Sequence, residues 1–164
     1  MKKLICAFLC LFSCHLFAAD LPQTEFSMPV HTPKETAARA VRLQIEVPES
    51  DARDYGLQPS MFYTEIMTRL SLGQIQIKDD PKYPQLVLRI KTIQADRALA
   101  SFIQLAYYED ATLTRNQNAV MALTWSQATM LSCAKEDLIK EVNQVVVQMT
   151  NSFILDFQKA MAPQ

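Results

Sequence analysis

Five stretches of this chain alternate apolar and polar residues, and two others place apolar residues three or four positions apart. Within 40–47, Val41, Leu43, Ile45 and Val47 fall on one side and Arg42, Gln44 and Glu46 on the other. That is the period of a strand with one buried face. Residues 74–78 (Gln-Ile-Gln-Ile-Lys) repeat the alternation over a shorter length. In the next stretch Leu86, Leu88 and Ile90 oppose Val87, Arg89 and Lys91. Two more strands run through Ile103, Leu105 and Tyr107 and through Met121, Leu123 and Trp125. Asn116-Gln117-Asn118 supplies turn residues between these last two. Together the last three strands read as an antiparallel meander.

The helical spacing falls between the first two strands and again at the end. Pro59 suits a first helical turn. Phe62, Ile66 and Leu70 then recur every four residues, and Gly73 stands where a helix C-cap belongs. Strand, helix, strand predicts a right-handed crossover onto a parallel neighbour. Pro48 to Tyr55, with Glu49, Asp51 and Asp54, reads as a polar loop. Near the end, Ser132 is a candidate N-cap, and Glu136 and Asp137 suit a first turn. Leu138, Val142, Val145, Met149, Phe153 and Phe157 form one apolar stripe. The predicted order is β-α-β-β-β-β-α. It corresponds to an α+β two-layer sandwich, a mixed four- or five-stranded sheet with two helices on one face, over residues 39–162.

The amino-terminal end changes the composition. Met1-Lys2-Lys3 is a basic head, Leu4 to Cys14 an apolar run, and Ala18-Ala19 precede Asp20. This is the layout of a secretory signal peptide over 1–19. The apolar run is shorter than the ~20 residues that span a bilayer. Its removal leaves 145 residues with 14 basic and 17 acidic side chains, a net charge of −3 that argues against a nucleic-acid binder. Leu11-Phe12-Ser13-Cys14 also fits part of a bacterial lipobox, so lipidation at Cys14 is the alternative to soluble export. Phe12 fits that motif poorly, and the residues after Cys14 are apolar where a lipid tether is polar. Soluble export to the periplasm is therefore the leading expectation. Residues 20–38, with Pro22, Pro29 and Pro33, read as an arm before the domain.

The chemistry is sparse. With only Gly56 and Gly73, the chain has no phosphate-cradling loop or dinucleotide fingerprint. After signal removal His31 and Cys133 are its only histidine and cysteine. Histidine-rich or cysteine-paired metal sites are thereby excluded, and no cofactor or metal is expected. Cys133 is a possible free thiol near a helix start, where the helix dipole lowers a thiol pKa. Asp79-Asp80 beside Pro81 reads as a solvated turn. Glu109 and Asp110 are adjacent strand residues that point to opposite faces, so they cannot flank one bond. Arg89 and Lys91 share one face and, with Arg115 at the hairpin, form a possible basic interaction surface. Trp125 is a further candidate contact there, since Trp and Arg anchor many interfaces. Met61, Met67, Met121, Met130 and Met149 lie in or beside apolar runs and read as adaptable core filling.

The stretch Asp110-Ala-Thr-Leu-Thr-Arg-Asn116, with Leu123-Thr124-Trp125 and the final helix, resembles a family of uncharacterised exported bacterial proteins over roughly residues 75–160. The element order is also similar to small α/β domains of envelope accessory proteins. These are the periplasmic domain of the curli-secretion lipoprotein, the amino-terminal domain of TolB, and lipoprotein activators of peptidoglycan synthases. The resemblance brings no catalytic residues. It implies a non-enzymatic protein-interaction or assembly-accessory role, with another envelope protein as partner. The alternative is a periplasmic small-molecule or lipid-binding protein, with a pocket between helix and sheet.

The two export readings differ in mass. The chain purified from its native envelope is expected to have the intact mass of a protein starting at Ala19 or Asp20. A mass matching lipidated Cys14 would instead make residues 15–36 a membrane tether.

Overall fold

In a computed structural model that describes residues 39–95 and 98–162, the alternating stretches form one mixed sheet. The signal segment, the arm, Cys14 and His31 lie outside the described residues. The strands are β1 (Ala40–Glu46), β2 (Gln76–Ile77), β3 (Gln85–Ala95), β4 (Ala98–Thr112) and β5 (Ala119–Cys133). Their spatial order is β2-β1-β3-β4-β5. β1 runs parallel to both of its neighbours, β2 and β3. β3, β4 and β5 form the expected antiparallel meander. The fold is α+β, with helices α1 (Glu49–Tyr55), α2 (Pro59–Leu72) and α3 (Leu138–Ala160).

Among the described residues there are three α-helices where the sequence suggested two. The added α1 replaces the polar loop expected over Pro48–Tyr55. Apolar spacing could not reveal it, because its anchor is a carboxylate. Asp51 is buried, and its Oδ2 accepts the backbone N–H of Thr92 at 2.7 Å. Ser50 Oγ donates to Asp51 Oδ1, and the Thr92 and Ser101 hydroxyls pair at 2.8 Å. The chain leaves α1 through Gly56 at φ 73°, a left-handed conformation that glycine adopts without Cβ strain.

One hydrophobic core fills the space between the sheet and the helices. Leu86, Leu88, Ile90, Ile103 and Leu105 meet Phe62, Ile66 and Leu70 of α2 and Val142, Val146, Met149 and Phe153 of α3. Val146, rather than Val145, completes the buried stripe of α3. Ser132 is not its cap. It is the penultimate residue of β5, and a 3-10 turn, Lys135–Asp137, leads into Leu138.

Gly73 caps α2, as its position in the sequence suggests, but the left-handed turn falls on the next residue. Ile75 N–H donates to Leu70 C=O at 2.8 Å and Gln74 N–H to Ser71 C=O at 3.0 Å. These are the two bonds of a Schellman motif. The left-handed residue in it is Gln74, at φ 61°, whereas Gly73 has φ −76°. Gly73 is needed for proximity instead. A Cβ there would stand 2.7 Å from Ile154 Cγ2 on α3.

Gly73→Ala should therefore destabilise the domain by about 1–3 kcal/mol, the scale of core overpacking. Urea unfolding would measure it, and the loss should shrink in an Ile154→Ala background. Equal losses in both backgrounds would remove the steric explanation.

Candidate functional site

The helices cover one face of the sheet, so the other face is left without a packed layer among the described residues. Strand alternation places Arg42, Gln44 and Glu46 of β1, Val87, Arg89, Lys91 and Ile93 of β3, and Phe102, Gln104, Ala106 and Tyr108 of β4 there. β5 contributes Ser126, Ala128 and Met130 from one half and Met121 and Leu123 from the other.

A register shift divides β5 into those halves. Tyr107 pairs with Trp125, but Tyr108 pairs with Leu123, so Thr124 is an extra residue. Such a bulge reverses the facing of everything beyond it. Met121 and Leu123 thus lie on the open face, while Trp125 turns to the helix side. This corrects the sequence-based strand, in which all three shared a side. Trp125 is only 2% exposed. Its indole N–H donates to Asp156 Oδ2 at 3.1 Å, and its ring meets that of Phe153 at 5.2 Å. The structure therefore places Trp125 on the opposite side of the sheet from Arg89 and Lys91.

Arg89 is the centre of a polar belt that crosses four strands. Its Nε donates to Glu46 Oε2 on β1 at 2.7 Å. Its Nη1 donates to Tyr108 OH at 2.9 Å and reaches Gln104 Oε1 at 3.5 Å, both on β4. Gln104 Nε2 in turn donates to Ser126 Oγ on β5. The hydrogen bond to Tyr108, followed by the pairing with Glu46, raises the Arg89 pKa above its ordinary value. Gln85 and Gln44 pair beside the belt. Beneath it, Val87 and Ala106 are buried although no helix covers them. Arg89 is thus a clamp across the sheet, engaged on several sides.

Lys91 stands apart from that network. It is exposed and lies opposite Phe102, which in turn lies opposite Met130. Ile93 is diagonal to Phe102. Met130 is 71% exposed, Ile93 55% and Phe102 41%, so these three form one apolar patch with Lys91 at its rim. Sequence reading missed them because their strands were read for their buried phase. The available signal was a large apolar residue in the polar phase, as Phe102 is beside Ile103. Likewise Met67, Met121 and Met130 are exposed rather than core filling, while Met149 is buried. Arg115 is exposed in the loop joining β4 to β5. About ten strand residues, roughly 30 Å, separate it from the Lys91 row, so the basic cluster is not assembled.

On the helix side, a groove of about 340 Å³ lies where α3 overhangs β5. Trp125, Ser126, Gln127, Ser152, Leu155, Asp156 and Lys159 line it. Glu109 is buried and accepts the Tyr107 hydroxyl at 3.3 Å, whereas Asp110 is exposed on the other face. The two carboxylates are apart, as strand alternation requires. Asp80 closes its turn by accepting the Lys82 backbone N–H and pairing with Lys82 Nζ. No group of three or more His, Cys, Asp or Glu among the described residues is placed to hold a metal ion. No helix among them is long and apolar enough to cross a membrane.

No family model matches the chain, and no curated protein matches its sequence. Among solved structures it is similar to a minor lipoprotein from Acinetobacter baumannii, with a TM-score of 0.38, 11% identity, and coverage of 71% of this chain and 88% of that one. It is also similar to an uncharacterized protein, with a TM-score of 0.44, 9% identity, and coverage of 80% and 96%. A PelC dodecamer from Paraburkholderia phytofirmans gives a TM-score of 0.40, 10% identity, and coverage of 74% and 90%.

Cys133 ends β5 and is half-buried. Burial, then Glu141, Asp137 and Glu136, push its thiol pKa up, opposite to the lowering expected near a helix start. Only the thiolate is nucleophilic. Cys133 should therefore react more slowly with iodoacetamide near neutral pH than a free cysteine, and its rate should plateau at higher pH. A rate equal to or above that of free cysteine would refute this assignment.

Proposed function

We propose that this chain is an exported, non-catalytic cell-envelope protein that acts as an interaction module. Its binding surface is the Ile93–Phe102–Met130 patch. The single observation that carries this reading is the contrast across the open face. The polar groups there bond to one another around Arg89, while three large apolar side chains are left exposed together. Apolar clusters with a polar rim are the usual signature of a protein contact. The partner that fits is an envelope protein with an apolar surface and an acidic group opposite Lys91. The export-type amino terminus supports the location.

The carrier alternative receives less support. Its pocket was expected between helix and sheet, a space filled by Tyr107, Trp125, Phe153 and Phe157. The groove beside α3 has Asp156 and Lys159 in its wall beside Trp125 and Leu155, and such charged groups do not suit a lipid tail.

A photo-crosslinking residue at position 102 is expected to give one dominant protein adduct in intact envelopes. The same residue at Leu72, an exposed position on the helix side, should give none. Met130→Asp should weaken the adduct at 102 severalfold without changing thermal stability. Equal labelling from both positions would refute the assigned surface.

A further inference from the structure

The two edges of the sheet are unequal. β2 ends one side after two residues and is followed by Lys78, Asp79, Asp80 and Pro81. Short length, charge and proline all discourage a further strand from pairing there. β5 ends the other side after 15 residues. That strand contains no charged residue, no proline and no glycine. At the chain's 20% charged composition, about three charges would be expected in it. β1 carries Arg42 and Glu46, β3 carries Arg89 and Lys91, and β4 carries Glu109 and Asp110. Of the two edges, the long one is thus without, along its length, the residues that keep edges apart, and the short one is stopped by them.

We propose that β5 pairs antiparallel with β5 of a second copy of this chain. The two sheets then join into one ten-stranded sheet across a two-fold axis. A strand that pairs with itself meets its own residues in reverse order, so any charge in it would stand near a like charge. An uncharged sequence is what this arrangement requires, whereas a different partner would tolerate charges of one sign. Along the strand the edge is about 50 Å long, and the sheet layer is about 10 Å thick. Pairing would bury about 500 Å² per copy, about 1,000 Å² in total, the lower bound for a specific interface.

α3 adds to this contact. Leu155 is 57% exposed on the side of α3 that overhangs β5, beside Ser152, Asp156 and Lys159. In the pair, the two α3 helices approach across the axis on the same side of the joined sheet. Each groove becomes part of the seam. Leu155 is then covered, and the oppositely charged Asp156 and Lys159 of one copy face those of the other.

The test uses the chain as exported and processed by the cell that makes it. It is expected to sediment as a dimer over a wide concentration range. Ala128→Lys with Ser132→Lys, both exposed positions on β5, should weaken the dimer roughly tenfold or more with little change in melting temperature. Position is read independently by single cysteines in a Cys133→Ser background. Ser126→Cys, Ala128→Cys or Thr129→Cys should yield a symmetric disulfide at the one or two positions nearest the axis. Ile93→Cys and Phe102→Cys should not. A monomer at every concentration overturns the proposal. If its β5 amides were nonetheless protected from exchange, the edge would belong to a strand from residues 20–38 of the same chain. A dimer that tolerates both lysines, or that crosslinks through Ile93→Cys or Phe102→Cys, overturns it as well.

Discussion

Phe153 stands between Tyr107 and Trp125, with ring centroids 5.2 Å from each, and this contact joins the last helix to the longest hairpin. β4 and β5 are each 15 residues long, more than twice the length of β1. A two-stranded ribbon is marginal alone, so this hairpin depends on a helix covering its inner face. The bulge at Thr124 makes the contact possible, because it turns Trp125 toward α3. Asp156 then holds the indole, and Phe157 extends the cluster to Tyr107. Burial beside Glu109 raises the Tyr107 pKa far above its ordinary value, so its hydroxyl remains a donor. Truncating a buried aromatic of this kind removes about 3–5 kcal/mol, a large part of a domain's net stability.

Covering one face leaves the other to be managed without helices. The domain does this with side chains that lie across the strands. The Arg89 clamp shields Val87 and Ala106 much as a thin layer would. Exposed ion pairs contribute little singly, but Arg89 also donates charge-assisted hydrogen bonds to Tyr108 and Gln104, and its guanidinium lies 5.7 Å from the Tyr108 ring centroid. The clamp does not extend to the end of the face where Ile93, Phe102 and Met130 lie, and there the apolar surface is left open.

Much of the architecture was legible from periodicity. The alternation in β1, β3 and β4 has the facing that the sequence gives it. The spacing of Phe62, Ile66 and Leu70, and that of Leu138 to Phe157, marks the helices correctly. The failures share a physical origin, a backbone detail with no apolar signature. α1 docks through a carboxylate accepting a main-chain N–H, so its segment reads as a polar loop. One extra residue in β5 reverses its facing, which no count of alternate positions can detect. Gly73 caps α2 as its position suggests, but the left-handed turn falls on Gln74, and the neighbour that demands a glycine, Ile154, is some eighty residues away. Of the candidate surface, Arg89 and Lys91 were legible as sharing a face, but Arg89's engagement and the apolar patch were not. Those depend on which side chains from other strands lie alongside.

The position of β1 has a kinetic consequence. The first strand of the domain lies between the second and the third, and its pairing with β3 joins residues 43 positions apart, as Leu43 does with Leu86. The aromatic contacts that close the core come last in the chain. Loop closure of this kind precedes its reward, a cost that slows folding in proteins rich in long-range pairings. An incomplete chain lacking α3 has only α1 and α2 over its sheet, and the inner face of the β4–β5 hairpin is left bare. During synthesis the aromatic cluster of Tyr107, Trp125 and Phe153 therefore cannot close until α3 has emerged, whatever the earlier strands have done.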